Sequence, residues 1–487
     1  MKYKQGEDRR QPTLLPPVLD DYINENNPTR VIDAFVDSLD LAMLGFTKST
    51  ISDTGRPPYS PYDLLKLYIY GYFNKVRSSR KLEMETHRNV ETMWLLNNLK
   101  PDHKTISRFR KDNLLSIKKV FDSFVKLCLK LNLYSRQLIS IDGSTFAAVN
   151  SKERNYSKGK LQDRIVRINN HIAEYLREIE NNDNEDEKIS DNDNISEIVA
   201  ALKARKEKYE GILETLEETG ENQISLTDPD SRLLTKLNSH KMGYNVQTAV
   251  DSGNYMIADY DVINTTDRGN MYPLAVRCKD VLETDNLTSI ADKGYISATD
   301  IANCIAGGIS ANVCMDEESL DFCVETDEDY EKPSSYTNGR AVYLKSRNIC
   351  VCPMGEVLYP GNYRKDRRIA RYYNRKACAK CSQKCTRTRF YMGEVVMKKS
   401  EFTKEYNDNG LKLKQLHYVA DKQLLKQRKS MSEHPFGIVK RCFGADYFLL
   451  KRFSGVIAEM AFAFLVFNLK RAINILGVKE IMRAIRA

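Results

Sequence analysis

The hydrophobic pattern changes period at residue 137, and no other feature of the chain constrains its fold as much. Upstream, residues 30–135 carry apolar side chains at helical spacing. Downstream, short apolar runs bounded by Gly, Asn and Asp read as strands that alternate with helices. A chain that starts all-helical and then turns α/β has differently built parts, and at 487 residues it is too long for one ordinary core.

The helical part has clear starts. Val31 to Leu44 has helical spacing, and Ser60-Pro61-Tyr62-Asp63 supplies an N-cap, a proline at the first helical position and an early acid. Leu64 to Tyr72 is apolar almost all round, which predicts a buried helix. Arg77-Ser-Ser-Arg80-Lys81 opens another helix, and Asp102 to Lys111 reads as a short helix whose outer face holds Lys104, Arg108, Arg110 and Lys111. Two readings stand for this pair: a helix-turn-helix DNA reader, or a solvated basic helix in a bundle.

From Gln137 to Asp142 a buried strand is expected, followed by a long polar stretch over 151–240. Helical spacing over 160–180 and 195–219, with an acidic low-complexity linker Asn181–Asn194 between them, predicts an inserted helical hairpin. Gly243–Val250 and Tyr255–Ile263 read as strands around the turn Asp251-Ser-Gly-Asn254. A helix over 270–284, a strand Leu287–Asp292, a helix Ser297–Ala306 and a strand Gly308–Cys314 follow. Residues 316–425 interrupt this core again, and helices resume near Ser432. The organisation expected is a tail (1–29), a helical DNA-binding domain (30–135), a core (136–315, with the insertion 151–240), a basic cysteine-containing insertion (316–425) and C-terminal core helices (426–487).

Charge and cysteines are both uneven. The formal charge is +9, but residues 340–399 hold 16 Lys/Arg against 3 Asp/Glu, while 174–194 hold 9 Asp/Glu against 2 Lys/Arg. A basic block suits a polyanion partner, because bound phosphates release counterions; a merely soluble surface is the plain alternative. Met1–Arg10 is polar and lacks the apolar segment of a secretory signal. Val456–Leu469 contains Glu459 and Asn468 and is too short and polar for a membrane span, so a buried helix and no membrane partner are expected. Of the 11 cysteines, five cluster at 350, 352, 378, 381 and 385, which points to reduced thiols, metal binding and a cytoplasmic compartment. Cys352, Cys378, Cys381 and Cys385 make the best set for a closed, structural Zn²⁺ site in a small zinc-ribbon-like module, with Cys350 as the alternative first ligand. Arg367, Arg368 and Arg371 lie in the same block, interleaved with Tyr363, Tyr372 and Tyr373, as a DNA-facing surface would be.

Three acids have settings that suggest chemistry. Asp142 ends the run Leu138-Ile-Ser-Ile141 and precedes Gly143; Asp292 ends Leu287–Ala291 and precedes Lys293-Gly294; Glu433 stands where a late helix is expected to start. Two strand-end carboxylates and one on a late helix are what an RNase-H-like core uses to hold two divalent metals for phosphoryl transfer. Mg²⁺ takes oxygen ligands and keeps several waters, so three carboxylates suffice. Taken singly, each acid is also explained as a turn residue, a strand exit or a helix-terminal acid.

At this point the chain resembles the DDE transposases of bacterial insertion sequences, in the subgroup with an N-terminal helical domain, a helical insertion after the first catalytic strand and a late cysteine cluster. The matching stretches are Gly55-Arg-Pro-Pro-Tyr-Ser-Pro-Tyr-Asp-Leu-Leu65, Arg77-Ser-Ser-Arg-Lys-Leu-Glu83, Pro101-Asp-His-Lys-Thr-Ile-Ser-Arg-Phe-Arg110, Ile141-Asp-Gly-Ser144, Gly243-Tyr-Asn-Val-Gln247, Ala291-Asp-Lys-Gly-Tyr295 and Glu433-His-Pro-Phe-Gly437. The resemblance spans roughly residues 30–475 and implies an α/β fold: an RNase-H-like catalytic core, with mixed sheet flanked by helices. It implies Asp142, Asp292 and Glu433 as catalytic acids holding two Mg²⁺ or Mn²⁺ ions. Relatives often add a Tyr, an Arg and a Lys around the last acid. Lys440 keeps the expected spacing for a phosphate contact, Arg428 lies one residue further upstream than the usual Arg, and no Tyr occupies the matching position.

The function implied is cutting element ends and joining the 3′-hydroxyl to target DNA. The partner is double-stranded DNA, both terminal inverted repeats and target, with a homodimer on DNA and a nucleoid-associated bacterial setting. Two rivals remain at this stage: an inactive transposase-derived DNA-binding protein, and a stand-alone nuclease that cleaves without joining.

Overall fold

The computed structural model describes residues 18–49, 57–151, 154–182, 189–236, 239–313, 342–344, 349–352, 354–360, 369–381, 394–398 and 421–486. The chain divides into two compact units: Met1–Asp267 with Asp280–Glu283 and Ser430–Ala487, and Arg268–Lys279 with Thr284–Lys429.

The first unit opens with helices α1 (Pro28–Asp37), α2 (Pro61–Phe73), α3 (Ser79–Arg88), α4 (Val90–Leu95), α5 (His103–Asp112) and α6 (Leu114–Lys130). The starts read from the sequence are made: Ser60 Oγ accepts the Tyr62 N–H at 3.1 Å, and Asp102 Oδ1 accepts those of Lys104 and Thr105 at 2.8 and 3.0 Å. Helix α2 is buried nearly all round. Its Tyr68 and Tyr72 stack on Phe462 of the C-terminal helix, with ring centroids 5.3 and 5.1 Å apart. Buried Lys66 on α2 is neutralised by Asp33 and Asp37 of α1, at 2.7 and 2.8 Å.

Strand β1 (Leu138–Ala147) follows, then β2 (Asn155–Ser157), α7 (Lys158–Asn182), α8 (Ile189–Glu218), β3 (Gln223–Ser225), β4 (Arg232–Lys236), β5 (Ser239–Asp251) and β6 (Ile257–Ile263). β5 pairs antiparallel with β1 along one edge; its other edge takes β4 over the first half and β6 over the second. The expected hairpin turn is present: Asp251 accepts N–H groups from Gly253, Ser135 and Arg136, so the carboxylate closes the turn and ties it to the entry of β1. The inserted hairpin is α7 packed on α8, closed at its base by the β2–β3 ladder. It has a core of its own in Tyr156, Leu161, Ile168, Tyr209, Ile212 and Leu216. The linker expected over Asn181–Asn194 is shorter than the composition suggested: helix extends to Asn182 and resumes at Ile189, and residues 183–188 lie outside the described residues.

The second unit holds α9 (Met271–Val281, whose last turn returns to the first unit), β7 (Leu287–Ala291), α10 (Ala298–Ala306) and β8 (Ile309–Val313). β7 and β8 are parallel, as a crossover through a helix requires. Five further strands, β9 (Val342–Leu344), β10 (Ile349–Val351), β11 (Val357–Pro360), β12 (Ile369–Tyr373) and β13 (Glu394–Lys398), form a second sheet in sequence order, with α11 (Arg375–Lys380) after β12. The sequence reading gave this basic stretch no strands.

Helix α12 (Lys422–Gly437) leads back into the first unit and continues as a π-helical turn, Ile438–Cys442. The last helix, α13 (Arg452–Arg486), is broken at Gly477, where φ is +77°. Its run from Val456 to Leu469 is buried against α6, α1 and α2, as expected for a core helix. The two polar residues in that run are both satisfied. Asn468 bridges the Ile257 N–H and C=O at 2.9 and 2.8 Å, and Glu459 accepts the N–H groups of Leu449 and Leu450. Among the described residues no helix is long and apolar enough to cross a membrane.

Candidate active site

Asp142 lies in the middle of β1, not at its end. The strand runs five residues further, with Asp142 opposite Thr248 and Gly143 opposite Gln247. The Asp-Gly pair is therefore no turn. Gly143 is needed for space: a Cβ there would collide with the Asp267 carboxylate and with the side-chain amides of Gln247 and Asn245. Those three groups form a polar knot, in which Asp267 Oδ1 accepts from Asn245 Nδ2 at 2.7 Å and from Gln247 Nε2 at 2.8 Å. The Gly143 N–H donates to Asp142 Oδ1 at 2.8 Å. Sequence reasoning quoted Gly243-Tyr-Asn-Val-Gln247 only as a match; the available signal was two amides at alternate positions of an otherwise apolar strand, which puts both on one face.

Asp142, Ser144 and Phe146 share the other face of β1, and the chain after α12 docks on it. Lys440, in the π-helical turn, donates to Ser144 Oγ at 2.6 Å and to the Thr145 carbonyl at 2.8 Å, with its ammonium 4.4 Å from the centre of the Phe146 ring. Phe436 of α12 packs on Phe146, centroids 6.1 Å apart. Lys440 is thus anchored on the strand that carries Asp142. Glu433 is exposed and stands in the last turns of α12, not at a helix start as its sequence setting suggested. Pro435 follows within the helix; a proline there removes one backbone donor and crowds the preceding turn, and the π-helical turn is the adjoining irregularity. Arg428 is half-buried on α12. Five residues separate it from Glu433, which at about 100° per residue puts the two on different faces of the helix.

Asp292 is half-buried directly after β7 and N-caps the short 3-10 turn Lys293–Tyr295, accepting the Gly294 N–H at 2.7 Å. Its strand-end setting is as expected. The donor chemistry of Asp142, Asp292 and Glu433 suits a hard divalent cation. Among the described residues, no group of three or more His, Cys, Asp or Glu side chains stands close enough to hold a metal ion.

On α5, Lys104, Arg108 and Lys111 are exposed and follow one face of the helix. Arg110 differs from the sequence expectation. It is 6% exposed, and its guanidinium lies over the Tyr68 ring at 5.3 Å, inside the core. The helical turn points it inward, where burial pushes the carboxyl of Glu459 above its usual range and the Arg110 charge opposes that shift. Of the cysteine set, Cys352 is buried in a tight turn, its N–H donating to the Glu356 carbonyl and its carbonyl accepting from Gly355, both at 2.9 Å; Gly355 has φ +82°. Cys381 is exposed after α11. The side chains of Cys350, Cys378 and Arg371, and all of Cys385, Arg367 and Arg368, lie outside the described residues.

Two family models match the chain. Residues 17–112, containing α1 to α5, match a transposase domain (DUF772), and residues 351–473 match a transposase DDE domain that includes Glu433 and Lys440. The chain is a DDE transposase of insertion-sequence type. No curated protein matches it. Among solved structures, this transposase is similar to one in a cryo-EM piggyBac transposase synaptic complex with hairpin DNA, at 9% identity over 92% of this chain and 81% of that one. The TM-score is 0.25, too low to bear on the fold. Asp142 and Asp292 lie outside both family matches.

Proposed function

We propose that this transposase cuts the ends of its element and joins the freed 3′-hydroxyl to target DNA, with Asp142, Asp292 and Glu433 as the catalytic acids. The observation that carries this is the docking of the Glu433–Lys440 segment on the Asp142 face of β1, through Lys440, Ser144 and Phe146. The antiparallel β1, β5, β6 set followed by the parallel β7–α10–β8 pair is the element order of an RNase-H-like core, and it supports the same reading. The three acids would hold two Mg²⁺ or Mn²⁺ ions, which when bound supply Lewis-acid activation of the attacking oxygen and stabilise the leaving one. Water attacks the phosphodiester at the element end and leaves a 3′-hydroxyl; that hydroxyl then displaces a 3′-oxygen from a target phosphate. Lys440 orients the β1 face beneath the scissile strand, and Arg428 lies upstream on the same helix.

The α5 stripe of Lys104, Arg108 and Lys111 would read terminal inverted repeats, and a homodimer would bring two ends together. The basic stretch that carries β9–β13 would add phosphate contacts through Arg367, Arg368 and Arg371. Its Cys352 turn has the form a Cys₄ zinc site needs for its first ligand, with Cys378, Cys381 and Cys385 completing it.

The test is Asp142→Ala, Asp292→Ala and Glu433→Ala on labelled element ends. Each variant should lose Mg²⁺-dependent cleavage while binding ends like the parent protein. Cleavage retained by any one removes that residue from the site. Pre-cut ends offered with target DNA separate a transposase, which joins them, from a nuclease, which does not.

A further inference from the structure

A buried ion pair ties the start of α3 to the chain that clamps β1. Arg77, one residue before the N-cap Ser78, is 7% exposed, and Glu459 on α13 is 1% exposed. Arg77 Nη1 donates to Glu459 Oε1 at 3.3 Å and to the Tyr447 carbonyl at 3.0 Å, and its guanidinium covers the Tyr447 ring at 4.7 Å. Glu459 also accepts the Leu449 N–H at 2.9 Å and the Leu450 N–H at 3.1 Å. Burial pushes its carboxyl above the usual range, against the pull of Arg110 and Arg77.

The segment held this way, Tyr447–Leu450, is the one that grips the end of β1. The Ala147 N–H donates to the Asp446 carbonyl at 3.2 Å, the Phe448 N–H donates to the Ala147 carbonyl at 2.8 Å, and Ala147 and Tyr447 form a parallel bridge. The same segment follows the π-helical turn that seats Lys440 on Ser144. If the pair served only to pack helices, apolar side chains of similar volume would serve as well or better, since desolvating two charges offsets much of their attraction. What charges add is direction: beyond their mutual contact, Arg77 holds the Tyr447 carbonyl and Glu459 holds the Leu449 and Leu450 N–H groups, all of them backbone groups of the β1 clamp.

We propose that Arg77 and Glu459 are positioning residues for the DNA chemistry, holding the 446–450 segment in register on β1 and so fixing Asp142 relative to the Glu433–Lys440 chain. They also join that register to α3, whose exposed Arg80 and Lys81 stand three and four residues beyond Arg77. The proposal rests on the reading of Asp142 and Glu433 as catalytic acids.

The experiment is single-turnover cleavage of a labelled element end in Mg²⁺ by the full chain, comparing Glu459→Gln, Arg77→Gln, the double variant and the milder Arg77→Lys. End binding is measured without metal, and thermal melting is recorded for each. Cleavage rate constants should fall at least tenfold in each Gln variant with end affinity within about twofold, and the double variant should be no slower than the worse single one. Arg77→Lys, which keeps the charge but cannot reach both partners, should fall between. A merely structural role would lower the reaction amplitude, through a smaller folded fraction, and leave the rate constant alone. That outcome, or strictly additive losses in the double variant, overturns the proposal. Asp142→Asn serves as the control. If it is inactive while the Arg77 and Glu459 variants cleave at the parent rate constant, only this proposal fails. If it cleaves, the parent reading fails and takes this one with it.

Discussion

The α5 stripe gives a prediction whose size follows from the helix. Lys104, Arg108 and Lys111 are exposed at spacings of four and three residues, so at about 100° per residue they occupy roughly 60° of arc over about 10 Å of helix. That suits a helix lying against one nucleic-acid surface. If each cation neutralises one phosphate, each contributes about 0.9 to the slope of log affinity against log salt, and the three together about 2.7. The variant with all three changed to Ala should therefore show a slope shallower by about 2.7. Between 50 and 200 mM salt the parent should lose about 40-fold more affinity than the variant does. Stability should hardly move, since exposed substitutions away from special contacts fall within about 0.5 kcal/mol. Arg110→Gln is the internal contrast: Arg110 is buried over the Tyr68 ring, so its loss should lower the melting temperature and leave the slope unchanged. Fluorescence anisotropy on a labelled terminal repeat across a salt series, with melting curves alongside, measures both. An unchanged slope in the triple variant, or an equal change from Arg110→Gln, refutes the assignment of the surface.

Gly143→Ala should lower stability by about 1–3 kcal/mol and suppress cleavage, because its methyl meets the Asp267–Gln247–Asn245 knot. Adding Gln247→Ala should recover part of the melting temperature, and no recovery would remove the steric explanation. Leu161→Ala, in the separate core of the helical hairpin, should cost about 2–5 kcal/mol locally. Amide exchange should then quicken across α7 and α8 but not in β1 or β5; uniform acceleration would mean the hairpin is not an independent unit. Purified protein should carry about one zinc per chain, diminished by Cys352→Ser, and less than about half an equivalent by metal analysis counts against the Cys₄ site.

Where a side chain meets its immediate neighbours, the fold was legible in the sequence. Ser60 and Asp102 announced their helices because a cap is a contact two or three residues long. The Asp251 turn and the alternation around it announced β5 and β6 for the same reason. What escaped depends on distant partners. Asp142-Gly143 looks like a strand exit until β5 is placed beside it, since only the pairing with Gln247 and Thr248 carries β1 on to Ala147. Arg110 looks like one more cation in a basic helix; Tyr68, 42 residues earlier, decides that it points inward. Glu433 stands where the sequence predicts a late helix to start, yet the helix begins at Lys422 and continues through Pro435 into a π-helical turn. The strands β9 to β13 escaped because basic residues and cysteines mask the alternation that a soluble sheet normally shows.

The hairpin inserted between β1 and β5 also bears on how the chain reaches its fold. Those two strands are direct neighbours but lie almost a hundred residues apart in sequence, with α7 and α8 between them. Contacts of that range are slow to form and costly in loop entropy. The β2–β3 ladder with its helical core can close first, from local contacts, and then the stretch left to close is about a quarter as long. By loop-length scaling that recovers about 1 kcal/mol at the moment β1 meets β5. An insertion that ties its own ends together is thus nearly invisible to the sheet it interrupts, and helices of quite different length could occupy the same place without changing the strand pairing that carries Asp142.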